Sequence, residues 1–489
     1  MATGSISSIG IGSGLDAENI VTQLVAIKQK SLTKLETQAT TISTKISSMG
    51  SLKTAVSNLQ DQIKKLSKGD LWQGKTVTSS NSGAITGTVS TKAAAGSYAV
   101  EVSQLAAAQS ANSTAFAKDA AMGKGVLTIT MGTWSQTDDA HSFSAGSDSA
   151  KNLVLDDLTG NETLSEIAAK INAKEAGVTA AIVRDASGER LSLTSTATGT
   201  ANGFQVTVTE AVVGEGVGAN LAKLAYTDPA ATDSGNGMTL GRAAKDTEAT
   251  INGIKVKSSN LVLSDVVDGL TLTVSKLTEA NTPANITIAQ DTASAKQAIN
   301  NLVTSYSSLM ETLSTMMAYN PDTGAAGTLQ GDATARTLQS AMRRLIQNTG
   351  GADTQFQSLS QIGVQLTKDG KLEVNDAKLT AALKDPEGLK NFFSVDAAGQ
   401  DQDGWAVRAS SFTQGLLDTT QGMFATADAS LNAQLKSNSS QKESMQRRIS
   451  AYETNLRATY SALDTKMAQM DSLNNYITQQ IAQWNKSSN

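Results

Sequence analysis

His141 is the one imidazole in 489 residues, and there is no cysteine. A Ser-His-Asp relay needs that imidazole beside a nucleophile, and multi-His or thiolate metal sites need ligands the chain lacks. His141 lies in the polar run Ser135–Ser149, which predicts a loop. The adjacent carboxylates Asp138-Asp139 and Asp156-Asp157 read as solvated turns before they read as cation ligands. Arg343-Arg344 and Arg447-Arg448 sit beside apolar residues at helical spacing, which favours solvent-facing or salt-bridging cations over phosphate ligands. The run Gly10-Ile11-Gly12-Ser13-Gly14 lacks the preceding strand and the lysine of a phosphate loop. No catalytic residue, cofactor or metal is therefore expected, and the chain reads as a non-enzyme.

Composition narrows the class further. Hydrophobic residues make up 39% and aromatics only 4%, so cores must be built from Leu, Ile, Val, Ala and Met. A net charge of -5 offers no general attraction for nucleic acid or anionic membranes. No segment approaches ~18 consecutive apolar residues, so no membrane insertion is expected. Met1–Gly14 is small, polar and Gly-rich, without Lys or Arg. It is expected to be disordered alone and does not read as an ordinary secretory signal.

What the chain does contain is periodicity suited to assembly. Leu35, Ile42, Met49, Val56 and Ile63 recur every seven positions, as do Ile449, Leu456, Leu463, Met470, Ile477 and Trp484. A strict seven-residue stripe wraps one helix around another. Ile449 to Trp484 spans about 52 Å as helix, more than a compact domain needs, so part of that face is expected to meet another chain or the other terminus. Asp16 is placed to cap the first helix, Glu18 falls in its first turn, and Gly69 is expected to close it.

Between these ends the pattern changes to period two, from Gly74 to about Asp291. Tyr98, Val100 and Val102, then Leu127, Ile129 and Met131, then Phe204, Val206 and Val208 alternate with polar or small residues, as half-buried strands do. Asn252-Gly253 predicts a type I′ hairpin. One helix interrupts, capped by Thr163, with Leu164, Ile167, Ala168 and Ile171 on one face and Gly177 placed to end it. Strands at 178–184 and 191–195, joined by a Ser187-Gly188 turn, complete a small α+β module. Helical spacing returns at Thr292, in three adjacent apolar stripes typical of a bundle, and breaks at Asn320-Pro321-Asp322. A helix near Asp332, a hairpin with strands 362–366 and 371–374 turned at Asp369-Gly370, a short helix capped by Asp376 and stopping before Pro386, and a final helix from about Asp428 are expected to follow.

Several stretches resemble the flagellar filament cap family (hook-associated protein 2) of bacteria. They are Gly12-Ser13-Gly14-Leu15-Asp16 leading into a long helix, the Asn252-Gly253 hairpin within residues 246–273, residues 327–336 with Gly331 and Asp332, and residues 359–383 with Asp369 and Gly370. The module over residues 127–195 is similar to a motif repeated in flagellins and hook-associated proteins. The resemblance implies a ring-shaped homo-oligomer, with five subunits favoured, at the distal tip of the filament. It implies folding and insertion of exported flagellin beneath a β-rich plate, helical legs reaching the filament or hook–filament junction proteins, an export chaperone, and secretion by the flagellar type III route. Adhesion is a possible secondary role. Other axial proteins, a junction protein or a flagellin, are the nearest alternative, and a surface adhesin is the alternative from another class.

The expected fold is thus α+β and multidomain, with long terminal coiled-coil helices and a helical bundle leg, and two β-rich head domains inserted between them. The expected divisions are 1–42 (disordered, then coiled coil), 43–74 (leg helix), 75–118 with 232–290 (first head domain), 119–231 (outer α+β head domain), 291–427 (leg) and 428–489 (C-terminal coiled coil).

Overall fold

The structure, a computed structural model, describes residues 16–137, 140–210, 220–232, 237–348, 355–397 and 402–486. Met1–Leu15 and Asp138-Asp139, on which expectations above rest, lie outside the described residues. The chain divides into two compact units, residues 1–72 with 292–489, and residues 73–291.

The first unit is helical. Its N-terminal helix, Ala17–Leu66, begins where the Asp16 carboxylate accepts from the Asn19 N–H at 3.1 Å, satisfying a backbone donor the helix cannot pair internally. It ends at Ser67 rather than at Gly69, which instead opens a short helix, Gly69–Gln73. From Met49 to Leu66 the N-terminal helix packs with Thr292–Met317 and Trp405–Leu417 around a core that includes Leu52, Leu59, Leu302, Tyr306 and Leu309, each fully buried. Trp72 stacks on Phe393 at 4.6 Å and donates its indole N–H to the Leu66 carbonyl, which locks the end of the long helix.

Asp332 caps Ala333–Gln347 through the Ala335 N–H, and Val364–Leu366 pairs with Leu372–Val374 around the Asp369-Gly370 turn. Two local expectations are corrected, while the short helix ends at Ala382, before Pro386, as expected. Ile362 ends a one-turn helix, Leu359–Ile362, Gly363 at φ 102° caps it, and the strand starts at Val364, two residues later than expected. Asn375, not Asp376, caps Asp376–Ala382, because its side chain reaches the Lys378 N–H. Pro386 begins a further helix, Pro386–Ser394, as its first residue, where the missing N–H costs nothing. The C-terminal helix, Met423–Lys486, starts five residues before the expected Asp428.

The second unit is β-rich, with two cores. Strands Lys75–Ser79, Ala284–Gln290, Gly96–Gln104, Thr247–Ile251 and Ile254–Ser258 form one antiparallel sheet in that order, and Ile85–Val89, Leu270–Val274 and Val262–Val267 form a smaller one. Val100, Ile251, Leu272 and Ile286 fill the core they share. At the hairpin tip Asn252 and Gly253 take φ 49° and 84°, the left-handed pair that type I′ requires. The other core, with Leu127, Ile167, Leu193 and Phe204, belongs to the α+β module. Its helix, Leu164–Ala173, carries a full capping box between Thr163 and Glu166. The helix stops at Ala173 without Gly177; that glycine sits where a Cβ would strike Met131, so it serves close approach. Short strands Ser110–Asn112 and Thr239–Arg242 join this module's sheet beside Gly188–Ser195.

Two loops expected from sequence are strands. Ala121–Thr137 and Ala140–Ala145 form a hairpin that pairs His141 with Gln136 and Trp134 with Phe143, and that aromatic pair at 5.0 Å supplies the cross-strand packing. Asp156-Asp157 lie within Leu153–Thr163, where Lys170 holds Asp157 at 3.0 Å. Among the described residues no group of His, Asp and Glu is arranged to hold a metal ion, and no helix is long and apolar enough to cross a membrane.

Candidate assembly surfaces

The two terminal helices meet as an antiparallel pair, in which Ile449 and Leu456 of the C-terminal stripe pack with Val21, Val25 and Leu32 rather than with the N-terminal stripe. Glu18 and Arg457 form a two-pronged ion pair at 2.7 and 2.8 Å, Glu36 meets Lys442 at 3.0 Å, and Gln38 meets Asn438 at 3.4 Å. Residue numbers rise on one helix as they fall on the other, so chain direction follows from the contacts alone. The hydrogen bond from Arg457 holds the Glu18 carboxyl below its ordinary range, with burial opposing. Lys28 lies over the Tyr452 ring at 5.7 Å.

Stripe positions fall into three classes. Met49, Val56 and Ile63 are buried in the bundle, while Leu35 and Ile42, farther out, are only half-buried. Ile449 is buried against Val21 and Val25, with Leu32, Met445, Leu456 and Tyr460 packed around them. Beyond Tyr460 the face opens: Leu463 is 40% exposed, Met470 71% and Trp484 76%, with Ile477, Leu473, Tyr476 and Ile481 exposed beside them. The helix runs about 40 Å past Arg457 with this apolar face outward.

Several residues of this surface escaped the sequence reading. Glu18 has a sequence signal only for its place in the first turn, and Arg457, Glu36 and Lys442 carry no local signature because their partners are some 400 positions away. Asn438 had a signal: it stands seven after Leu431 and seven before Met445, in a helical lane that is otherwise apolar. It is 5% exposed, its Oδ1 accepts no hydrogen bond among the described residues, and a cleft of about 470 Å³ runs beside it, bordered by Thr37, Thr41, Ile42 and Gln434.

The motif residues of the resemblance are not gathered into one site. Gly14 and Leu15 lie outside the described residues, Asp16 and Asp332 are helix caps, Gly331 takes φ 72° just before one of them, and Asn252-Gly253 and Asp369-Gly370 are hairpin turns. Gly370 lies against the Arg343 guanidinium, where a Cβ would come within 2.8 Å. Arg447 and Arg448 are exposed.

Comparison with known proteins follows this geometry. Residues 244–472 match the family described as flagellar hook-associated protein 2 C-terminus, residues 13–109 its N-terminus, and residues 142–197 the flagellin hook IN motif. The flagellar hook-associated protein 2 of Escherichia coli strain K12 is 32% identical over 98% of each chain, and that of Salmonella typhimurium LT2 is 31% identical over 99% of this chain and 100% of the relative. Among solved structures, the D1-D2-D3 domains of the flagellar cap protein from Escherichia coli align with a TM-score of 0.59 at 31% identity, covering 78% of this chain and 99% of that one. The chain belongs to the flagellar hook-associated protein 2 family.

Proposed function

We infer that this chain is the structural cap at the distal end of the bacterial flagellar filament, where it retains exported flagellin and promotes its folding and insertion. The observation that carries the reading is the apolar face from Leu463 to Trp484, left outward while the same stripe is covered from Leu456 inward. Burying one such side chain contributes about 1.5–3 kcal/mol, so a row of them supports a partner that binds and releases step by step. The working form is a homo-oligomer, with five subunits favoured, whose terminal helices act as legs toward flagellin and the hook–filament junction proteins. An export chaperone accompanies the chain before secretion. The leg comprises residues 43–74 and 291–427, the coiled termini 1–42 and 428–489, and the heads 75–118 with 232–290, and 119–231.

The test is complementation of a deletion strain with the chain cut after Tyr460. Subunits that still form the oligomer but give short filaments and flagellin monomer in the medium support the reading. Full-length filaments from the truncated chain would end it.

A further inference from the structure

The α+β module joins the rest of its unit through two short antiparallel segments, residues 105–109 and 243–246. Ala107 and Lys245 exchange backbone hydrogen bonds there at 2.9 and 3.0 Å, and Arg242 Nε donates to the Ala108 carbonyl at 2.9 Å. The buried apolar residues of the module and those of the adjoining two-sheet domain form separate clusters with no member in common. A two-stranded neck is a weak support by itself. The angle between the two cores therefore depends on contacts beside the neck.

One turn supplies such contacts. Thr198 to Thr200, just past strand Gly188–Ser195, touches both neck segments and the domain beyond them. The Asp246 carboxylate accepts from the Thr200 N–H and from Thr200 Oγ1, both at 2.8 Å. Asp246 is itself fixed, because its carbonyl accepts from the Gln104 side-chain amide at 2.9 Å. The Gly199 N–H donates to the Ala107 carbonyl at 3.3 Å, and Thr198 Oγ1 donates to the Ser259 carbonyl at 2.7 Å. Ser259 follows Ile254–Ser258, the edge strand of the larger sheet. Gly199 takes φ 103°, and a Cβ there would lie 2.7 Å from Ser259 Cβ and 2.8 Å from its carbonyl oxygen. A glycine is what lets the turn seat. Thr198, Thr200 and Asp246 are half-buried and Ser259 is exposed, so these groups regain water when the turn lifts.

We propose that the Thr198–Thr200 turn is a latch. Seated against Asp246 and Ser259, it holds the α+β module at one angle to the two-sheet domain; lifted, it lets the module pivot about the neck with both cores intact. The bonds to the Asp246 carboxylate are its strong half, because a charged acceptor strengthens them, and the glycine seat is its geometric half. The latch lies within residues 73–291 and is independent of the capping reading, so either can fail without the other.

The chain has no cysteine, so nitroxide labels can be placed cleanly through Val183→Cys on the module and Ile254→Cys on the domain, both exposed positions. Pulsed dipolar spectroscopy on the full chain should give one narrow distance. Gly199→Val unseats the turn by bulk and Asp246→Ala removes its acceptor; each should add a second, broad distribution and raise the open fraction about tenfold or more. Thr198→Val should do the same to a smaller extent, which covers the case where the glycine variant misfolds. Amide protection of Leu127 and Ile286, one in each core, should not change. A broad distribution in the parent overturns the proposal, since the turn would then hold nothing. So does a narrow one kept by Gly199→Val and Asp246→Ala alike, since other contacts would then set the angle. Broadening that comes only with lost core protection also overturns it, because the turn would then support the fold rather than the angle.

Discussion

The N-terminal helix spends its two halves in different company. From Met49 to Leu66 it is one wall of a bundle, and every stripe residue there is buried. From Ala17 to Ile46 its apolar residues pack chiefly on the C-terminal helix; Val21 and Val25 are buried, but Leu35 and Ile42 only half so. Spacing is the same in both halves. What differs is the number of helices around the stripe, and two helices alone cannot surround a side chain. Heptad spacing thus marks where a partner belongs without saying how many partners arrive.

The contrast can be broken most sharply in the bundle. Leu59→Ala should cost about 2–5 kcal/mol, seen as a lower urea midpoint, whereas Leu35→Ala should cost under about 1 kcal/mol. Equal losses would mean both halves are packed alike. The next largest effect has the opposite sign: Asn438→Leu removes a buried unpaired carbonyl, while exposed Gln38 can turn to water, so the terminal pair should gain roughly 1 kcal/mol. Slower amide exchange over residues 30–45 checks this, and faster exchange refutes it.

Acid reaches the outer half through Glu18. Glu18 has a folded value depressed below 4.5, so its contribution is complete above that unfolded value and is lost as pH falls through the folded one. Exchange over residues 17–25 should quicken on acidification below about pH 4.5, its unfolded value, and Glu18→Gln should abolish the step; a step that survives the substitution belongs to other carboxylates. The smallest stability effect sharpens the functional side. Met470→Ser, on the open face, should change stability by no more than about 0.5 kcal/mol and yet reduce filament length in complementation. Normal filaments would remove Met470 from the working surface.

The sequence was most legible where a signal is local. Asp16, Thr163 and Asp332 each cap a helix whose first N–H groups lie within three residues, and Asn252-Gly253 makes its turn from its own backbone angles. Legibility failed where a partner segment decides. The polar surroundings of His141 and Asp157 predict loop, but strand pairing places them in sheets. One cavity, bordered by Gln109, Trp134 and Ala244, draws on residues as far apart as 109 and 244, and nothing near any one of them foretells the others. The terminal stripe is visible in the spacing, and only the structure separates its covered part from its open part.

The opening of the second unit carries a consequence for how such a chain can change. Lys75 pairs with Gln290, and the Asp291 N–H donates to the Gly74 carbonyl at 2.9 Å, so the two ends of a segment over two hundred residues long leave side by side. Neighbouring strands lie about 4.8 Å apart, a gap that one or two residues can bridge. Residues 73–291 are therefore an exchangeable cassette: a different domain with adjacent termini, or a short turn, can replace them at little cost in loop closure while the helical unit keeps its connectivity. Lineages can then rewrite this unit and leave the helical unit unaltered.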